Sequence, residues 1–321
     1  MTSLDQHAAS IAVSPAASRG PSMAALYETT KPRITRLVTI TSALGFGLGA
    51  LAYRPATFEL VTGFIAAIFG AGLAAAGANT LNQWMERSRD ARMPRTSSRP
   101  LPTQRATPNS VLFFGVELCA LGVILAWGLA GLPAAALIAG TVLSYLFLYT
   151  PSKPGLWSST WIGAVPGALP PVIGWACAAG TWASLAEFGP WALFTIMFVW
   201  QIPHFLSIAW MYKDDYAAGG YRVLPVVDAS GRWTWAMMVL WAAILLPVTV
   251  LPPLVMDVTP GFIAVPVGVI AGTWFLVLTI RVTRSRTRAD ARRVLIGSVI
   301  YLPVLLAAWV VDAGLGAALG W

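Results

Sequence analysis

The chain has 321 residues, of which 57% are hydrophobic and only 11% charged, against roughly 25% charged in an ordinary soluble chain. That balance excludes a water-soluble domain of any size. It also argues against a transmembrane barrel, because the apolar runs are apolar all round instead of alternating. The formal charge of +8 sits between the apolar runs and in no nucleic-acid motif, so the basic residues mark topology in a lipid bilayer and no nucleic-acid partner is expected.

Residues 1–22, rich in Ala and Ser, lack a basic leader followed by an apolar stretch. They read as a disordered tail ahead of one membrane domain over 23–321, with Met1 and Met23 both candidate starts. Nine apolar runs follow, at about 34–53, 58–81, 109–130, 134–150, 159–180, 189–208, 233–254, 260–280 and 294–315. Each can cross a hydrocarbon core about 30 Å thick as a helix, so the expected fold is an all-α, polytopic bundle of nine transmembrane helices. Of the 21 basic residues, 20 then fall on one side and only Arg54 on the other. The positive-inside rule places the N-terminus in the cytoplasm and the C-terminus outside. In the first helix, Gly45-Phe-Gly47-Leu-Gly49 reads as a close-packing face, since no strand precedes it as in a nucleotide-binding loop.

The loop after the second helix holds Asn82, Glu86 and Asp90. If the helix continues through them, they follow at i, i+4 and i+8 and advance only about 80° around the axis, so three oxygen-bearing side chains share a face. Two carboxylates and an amide crowded in a low-dielectric mouth are costly unless a hard cation neutralises them, and Mg²⁺ takes such ligands together with phosphate oxygens. Arg92, Arg95, Arg99 and Arg105 follow, with planar multi-donor groups suited to a diphosphate. A solvated loop that merely fixes topology and binds lipid head groups is the plainer alternative.

In the third helix Glu117 is a lone carboxylate with no assigned role. The fourth ends in Tyr149-Thr150-Pro151-Ser-Lys153, where Lys153 either touches phosphate or snorkels to the interface. Gly163-Ala-Val-Pro166-Gly167-Ala-Leu-Pro170-Pro171 interrupts the fifth with small residues and prolines, permitting close helix contact. The sixth ends in Trp200-Gln201-Ile-Pro203-His204-Phe205, and a His inside a transmembrane segment is a functional-site hypothesis, as haem-iron ligand, acid or base. An interfacial His bonded to a carbonyl freed by Pro203 is the alternative reading. Asp214-Asp215 follows, beside Lys213 and Arg222 on the same side of the membrane as the first acidic loop, so two metal-phosphate half-sites can face each other across a cavity. Cys119 and Cys177 lie in apolar runs and read as packing residues; Trp84, Trp157, Trp210 and Trp233 read as interface anchors. The arginine run Arg281 to Arg293 reads as topological and lipid-facing.

Together these blocks resemble the intramembrane aromatic-type prenyltransferases, in particular their haem-prenylating branch. The resemblance covers about 26 to 315 and rests on Thr30-Lys31-Pro32-Arg33, on Asn82, Glu86 and Asp90 with Met93, Arg95-Thr96 and Arg99-Pro100, on Tyr149-Thr150-Pro151, on Gly167-Ala-Leu-Pro170-Pro171 with Gly174-Trp175, on Trp200-Gln201 with Pro203-His204-Phe205, and on Asp214-Asp215-Tyr216 with Gly219-Gly220. It implies an enzyme that moves a farnesyl group from farnesyl diphosphate to a vinyl group of haem b, adding water and releasing diphosphate, with Mg²⁺ as cofactor. It further implies that Asn82, Glu86 and Asp90 hold one metal-diphosphate edge and Asp214 and Asp215 the other. Arg95, Arg99 and Lys153 would stabilise the departing diphosphate, and Lys31, Arg33, Tyr149 and His204 would contact substrate. The family's two matching D-x-x-x-D motifs are not met: Glu86 replaces an Asp, and Gly219 stands where a further acid would. The implied setting is a bacterial-type inner membrane with the site on the cytoplasmic side, and haem A synthase or terminal oxidase assembly proteins are candidate partners.

Competing expectations are a prenyltransferase for phenolic or quinone acceptors, an anion transporter, and a non-catalytic haem-delivery subunit. A transporter would more plausibly show charge at mid-membrane, whereas the acids here cluster at two cytoplasmic helix ends, which weighs against transport.

Overall fold

The computed structural model of the chain describes residues 22–254 and 261–320. Of the expected tail over 1–22, residues 1–21 lie outside them, while Ser22 caps the first helix, its Oγ accepting from Ala25 N at 3.2 Å. That helix, α1 (Met23–Thr29), is short. Membrane-length helices follow as α2 (Pro32–Tyr53), α3 (Thr57–Asp90), α4 (Pro108–Ala130), α5 (Leu132–Ser152), α6 (Ser159–Ala179) and α7 (Phe188–Met211). After the short α8 (Lys213–Ala218) come α9 (Arg232–Leu254), α10 (Ala264–Val282) and α11 (Arg288–Leu319). Among the described residues nine helices are therefore long and apolar enough to cross a membrane, and none of these residues forms a strand.

Two boundaries move for physical reasons. Helix α3 runs past its apolar stretch to Asp90, because good helix formers continue the turn and the inward face stays covered. Helix α11 starts at Arg288, ahead of its apolar run, where Thr287 and Asp290 form a capping box. Helix α6 breaks at Leu169 into Ser159–Ala168 and Pro170–Ala179, since Pro170 and Pro171 have no N–H to donate to the preceding turn.

The tightest seam joins α2 to the second half of α6. A Cβ on Gly174 would stand 1.8 Å from the Ser42 carbonyl oxygen, and one on Gly45 2.0 Å from that of Pro171, so only glycine allows these backbones to touch. Gly49 shares the seam while Gly47 faces open space, which narrows the packing face to Gly45 and Gly49. One apolar core centres on Phe46 of α2, Ala74 of α3, Ile138 of α5 and Ile173 of α6, and another on Ile196 of α7, Trp235 of α9, Phe275 of α10 and Trp309 of α11. Contact of α2 with α11 and of α6 with α7 joins the two. Large apolar side chains such as Phe58, Phe113, Ile124 and Ile270 are exposed, as lipid contact requires. Glu117 is exposed among them on α4 and forms no ion pair among the described residues.

Of the four expected anchors, Trp157 and Trp233 are exposed. Trp84 instead packs partly buried beneath the Arg87 guanidinium at 5.0 Å, and Trp210 donates its indole N–H to the Arg286 carbonyl at 3.1 Å. Both cysteines are free, Cys177 being buried against α2 and α3 neighbours.

Candidate active site

The helical continuation of α3 carries Asn82, Glu86 and Asp90 inward on one face, exposed by 0%, 6% and 1%. Each oxygen-bearing side chain accepts from a different cation. Lys31 Nζ donates to Asn82 Oδ1 at 2.6 Å, Lys153 Nζ to Glu86 Oε1 at 2.7 Å, and Arg99 Nη1 to Asp90 Oδ2 at 2.7 Å. Asn82 spends its amide N–H on Thr150 Oγ1 at 3.0 Å, and Thr150 in turn donates to the Tyr145 carbonyl at 2.9 Å.

Local structure aims these groups. Lys31 lies between α1 and α2 at φ 48°, a left-handed conformation strained for a side chain with a Cβ and of the kind that persists where surroundings over-determine it. Those surroundings are α1 itself: Thr29 shares a hydrogen bond with Thr80 at 3.1 Å, and Gln83 donates to the Thr29 carbonyl at 2.8 Å. Burial, and then the neighbouring Arg99 charge, pull the Lys31 ammonium down to about 7. Burial also opposes the charge on Lys153, but the facing Tyr149 and Glu86 hold that ammonium well above the ordinary lysine range. Helix α5 widens into a π-helical turn over Ser144–Tyr149, which points Tyr145 and Tyr149 into the same space. Gly163 makes room for the Tyr149 ring, since a Cβ there would meet it at 2.5 Å.

These side chains line one end of a cavity of about 400 Å³. Away from them its wall becomes apolar, formed by Ala71, Ala74, Ala75 and Ala78 of α3 with Ile138 and Ile173. From Asn82 to Ala71 the wall follows α3 for eleven residues, about 16 Å at the α-helical rise. Across the cavity stand Trp200, Gln201, His204 and Phe205 of α7. His204 stacks on Trp200 with ring centroids 4.8 Å apart, its Nδ1 lies 2.8 Å from Ser298 Oγ, and the Trp200 indole donates to the Ser298 carbonyl at 2.8 Å.

The second acidic segment closes over the first. Arg89 and Arg92 donate to the Gly219 carbonyl, each at 3.3 Å, and Asp215 Oδ2 accepts from the Arg95 N–H at 3.2 Å. Gly220 turns the chain at φ 73°, which brings Tyr221 into the cavity wall with Tyr216. Arg95 lies at the rim with its guanidinium over the Tyr212 and Tyr216 rings at 4.7 and 5.3 Å.

The structure therefore brings Lys31, Asn82, Glu86, Asp90, Arg95, Arg99, Tyr149, Lys153 and His204 to one cavity. It does not bring Arg33, Asp214 or Asp215 to the cavity wall: Arg33 and Asp214 are exposed and Asp215 is half-buried against the Arg95 backbone. The four arginines after Asp90 also separate. Arg92 is spent on the Gly219 carbonyl, and Arg105 forms an exposed pair with Glu28 at 2.6 Å, because the loop turns it back toward α1. Tyr145, Tyr221 and Ser298 are not singled out by sequence reasoning, and Tyr216 enters only as part of the Asp214-Asp215-Tyr216 block. Tyr145 has a signal there, four residues from Tyr149 on the same helix face; Ser298 has none, lying in an apolar run far along the chain.

The donor set suits a hard cation. Asn82, Glu86 and Asp90 offer oxygen only, and among the described residues no cluster of three or more His, Cys, Asp or Glu exists that could enclose a metal unaided. A Mg²⁺ ion held here would complete its shell from ligand oxygens or water, the manner in which Mg²⁺ usually binds phosphates. Four cationic side chains against two carboxylates leave a positive surplus matched to a polyanion.

The UbiA prenyltransferase family matches residues 38–311. A protoheme IX farnesyltransferase of Solibacter usitatus is 43% identical over 89% of this chain and 97% of its own length, and one of Salinibacter ruber is 43% identical over 88% and 96%. The mitochondrial protoheme IX farnesyltransferase of Arabidopsis thaliana is 34% identical over 87% of this chain and 63% of its own. Among solved structures, a digeranylgeranylglyceryl phosphate synthase superposes with TM-score 0.71 at 15% identity, covering 90% of this chain and 98% of that one. A UbiA homologue of Archaeoglobus fulgidus bound to DMAPP and Mg²⁺ superposes with TM-score 0.64 at 16% identity, covering 88% and 98%. At such identities these likenesses concern the fold.

Proposed function

The chain belongs to the UbiA prenyltransferase family, and on that premise we propose that it transfers a farnesyl group from farnesyl diphosphate to a vinyl group of haem b, with addition of water. It is a multi-pass membrane prenyltransferase. The observation that carries the acceptor and donor together is the single cavity, with a cation-rich oxygen cluster at one end, an apolar wall along α3, and the Trp200–His204 stack facing them. Relatives that cover most of the chain act, by name, on protoheme.

Asn82, Glu86 and Asp90 would hold Mg²⁺ on one side of the diphosphate; Asp215, with Asp214 beside it, lies outside the cavity wall on the loop that closes over the mouth and would serve from there. Such an ion would supply Lewis-acid stabilisation to the diphosphate oxygens. Lys31, Lys153, Arg99 and Arg95 contact those oxygens where negative charge grows as the allylic C–O bond breaks and its electron pair leaves with diphosphate. The chain lies along Ala71–Ala78. Tyr145, Tyr149 and the α7 aromatics face the allylic cation and shield it from water while their π faces favour its charge. The vinyl π pair forms the new C–C bond; the carbon next to the pyrrole takes the oxygen of a water, which loses a proton. The two acidic segments face the cytoplasm, N-terminus inside and C-terminus outside, in an inner membrane. Haem A synthase or oxidase assembly proteins are candidate recipients of the product.

The test incubates detergent-purified protein with haem b, farnesyl diphosphate and Mg²⁺, with and without chelator, and reads porphyrins by mass spectrometry. A Mg²⁺-dependent haem carrying farnesyl plus water is expected. Unmodified haem alongside transfer of labelled prenyl to a phenolic acceptor would move the protein to the phenolic branch of the family.

A further inference from the structure

Ser298, on α11, meets α7 twice, and the two contacts together constrain the imidazole of His204. The hydroxyl of Ser298 has one proton. That proton is spent on the Leu295 carbonyl at 2.7 Å, an acceptor that has none to give. Both contacts are hydrogen bonds at once only if Ser298 Oγ accepts at 2.8 Å from His204 Nδ1, and this pairing selects the tautomer in which Nδ1 carries the ring proton. In a neutral imidazole the other nitrogen, Nε2, is then unprotonated with its lone pair free. Nε2 makes no hydrogen bond to any described residue, while the His204 side chain lines the cavity.

The ring cannot easily turn to exchange its nitrogens. Its face stacks on Trp200 at 4.8 Å and 27°, and Phe205 meets it edge-on at 5.4 Å. Trp200 is itself anchored by its indole N–H on the Ser298 carbonyl at 2.8 Å. One residue of α11 thus fixes both members of the stack, one through its side chain and one through its backbone. Ser298 is fully buried, as is Trp200 to within 4%, so solvent does not compete for either bond.

A half-buried imidazole held through a second residue on Nδ1, with Nε2 offered to an open cavity, has the arrangement of a histidine that ligates a metal. We propose that Ser298 is a positioning residue which locks His204 in the Nδ1–H tautomer so that Nε2 ligates the iron of the porphyrin substrate and sets which pyrrole edge faces the prenyl donor. The inference rests on the haem reading above and extends it from the acceptor's identity to its orientation.

The test separates the two. Haem b is titrated into the purified full chain without farnesyl diphosphate, and the ferric species is followed by absorbance and electron paramagnetic resonance; steady-state constants are then measured for both substrates. Ser298→Ala removes the hydroxyl but keeps the carbonyl that holds Trp200, so it addresses His204 alone. The wild type is expected to show an imidazole-ligated haem. Ser298→Ala is expected to weaken haem binding about tenfold, to lose the imidazole signature at stoichiometric haem, and to raise the haem KM with the farnesyl diphosphate KM unchanged. Ser298→Thr, which restores a hydroxyl, should recover affinity and spectrum. An unchanged spectrum and haem affinity in Ser298→Ala, where His204→Ala loses both, would overturn the role of Ser298. Turnover of haem by a wild type that never shows imidazole ligation would overturn the iron contact while leaving the proposed reaction standing. A wild type that neither binds nor modifies haem would remove the reaction itself and this inference with it.

Discussion

Replacing Glu86 and Lys153 singly and together separates what the pair does for the fold from what it does for the chemistry. The two atoms lie 2.7 Å apart with side chains only 8% and 13% exposed, so water screens them little. An exposed pair is worth about 0–1 kcal/mol, but removing one partner of a buried pair leaves an uncompensated charge and costs about 3–5 kcal/mol. Glu86→Gln and Lys153→Met should each lose stability of that size, measured by reversible detergent unfolding in mixed micelles. In the double variant no charge is stranded, and most of the loss should be recovered, since a neutral substitute for a buried pair is often close to isoenergetic. Turnover should behave oppositely. If both groups meet the metal-diphosphate, each single variant falls at least about 100-fold, the size of losing one charge-stabilising group, and the double variant stays inactive. Single variants costing under about 1 kcal/mol, or a double variant that regains turnover, would refute the assignment.

Asp90→Asn, which breaks the 2.7 Å contact with Arg99, should leave a membrane-inserted protein with little turnover. Asp215→Asn should do the same, whereas Asp214→Asn, exposed beside it, should be milder; equal wild-type rates in Asp90→Asn and Asp215→Asn would remove the metal-diphosphate assignment. Gly174→Ala should destabilise by at least about 1–3 kcal/mol because its Cβ would stand 1.8 Å from the Ser42 carbonyl, and a wild-type unfolding midpoint would show that α2 and α6 separate freely. Ala75→Phe, in the apolar wall, should shift donor preference from farnesyl to a shorter prenyl diphosphate, read as the ratio of kcat/KM values; an unchanged ratio would place the chain elsewhere. Arg288→Ala should alter neither rate nor stability by more than about 1 kcal/mol, since among the described residues its exposed guanidinium makes only a contact 5.4 Å from the Tyr212 ring.

The membrane helices and one wall of the site were legible in the sequence. Both are local: an apolar run of membrane length must hydrogen-bond its own backbone in lipid and so becomes a helix, and Asn82, Glu86 and Asp90 share a face wherever a helix of 3.6 residues per turn carries them. The glycine ladder of α2 was legible as a packing face for the same reason, though which glycines touch required the partner. Long-range pairing was not legible. That Lys31, Lys153 and Arg99 each take one oxygen of the α3 face, that Arg92 and Arg105 go elsewhere, and that Asp215 meets the Arg95 backbone follow from how helices distant in sequence are laid side by side. Residue type told which groups have donors to give; only packing decided which acceptor lay within reach. Ser298 is the extreme case, a small hydroxyl in an apolar helix whose meaning comes entirely from the His204 ring 2.8 Å away. A hydrogen bond is decided over a few tenths of an ångström, and no pattern along one helix specifies its neighbour's position that closely.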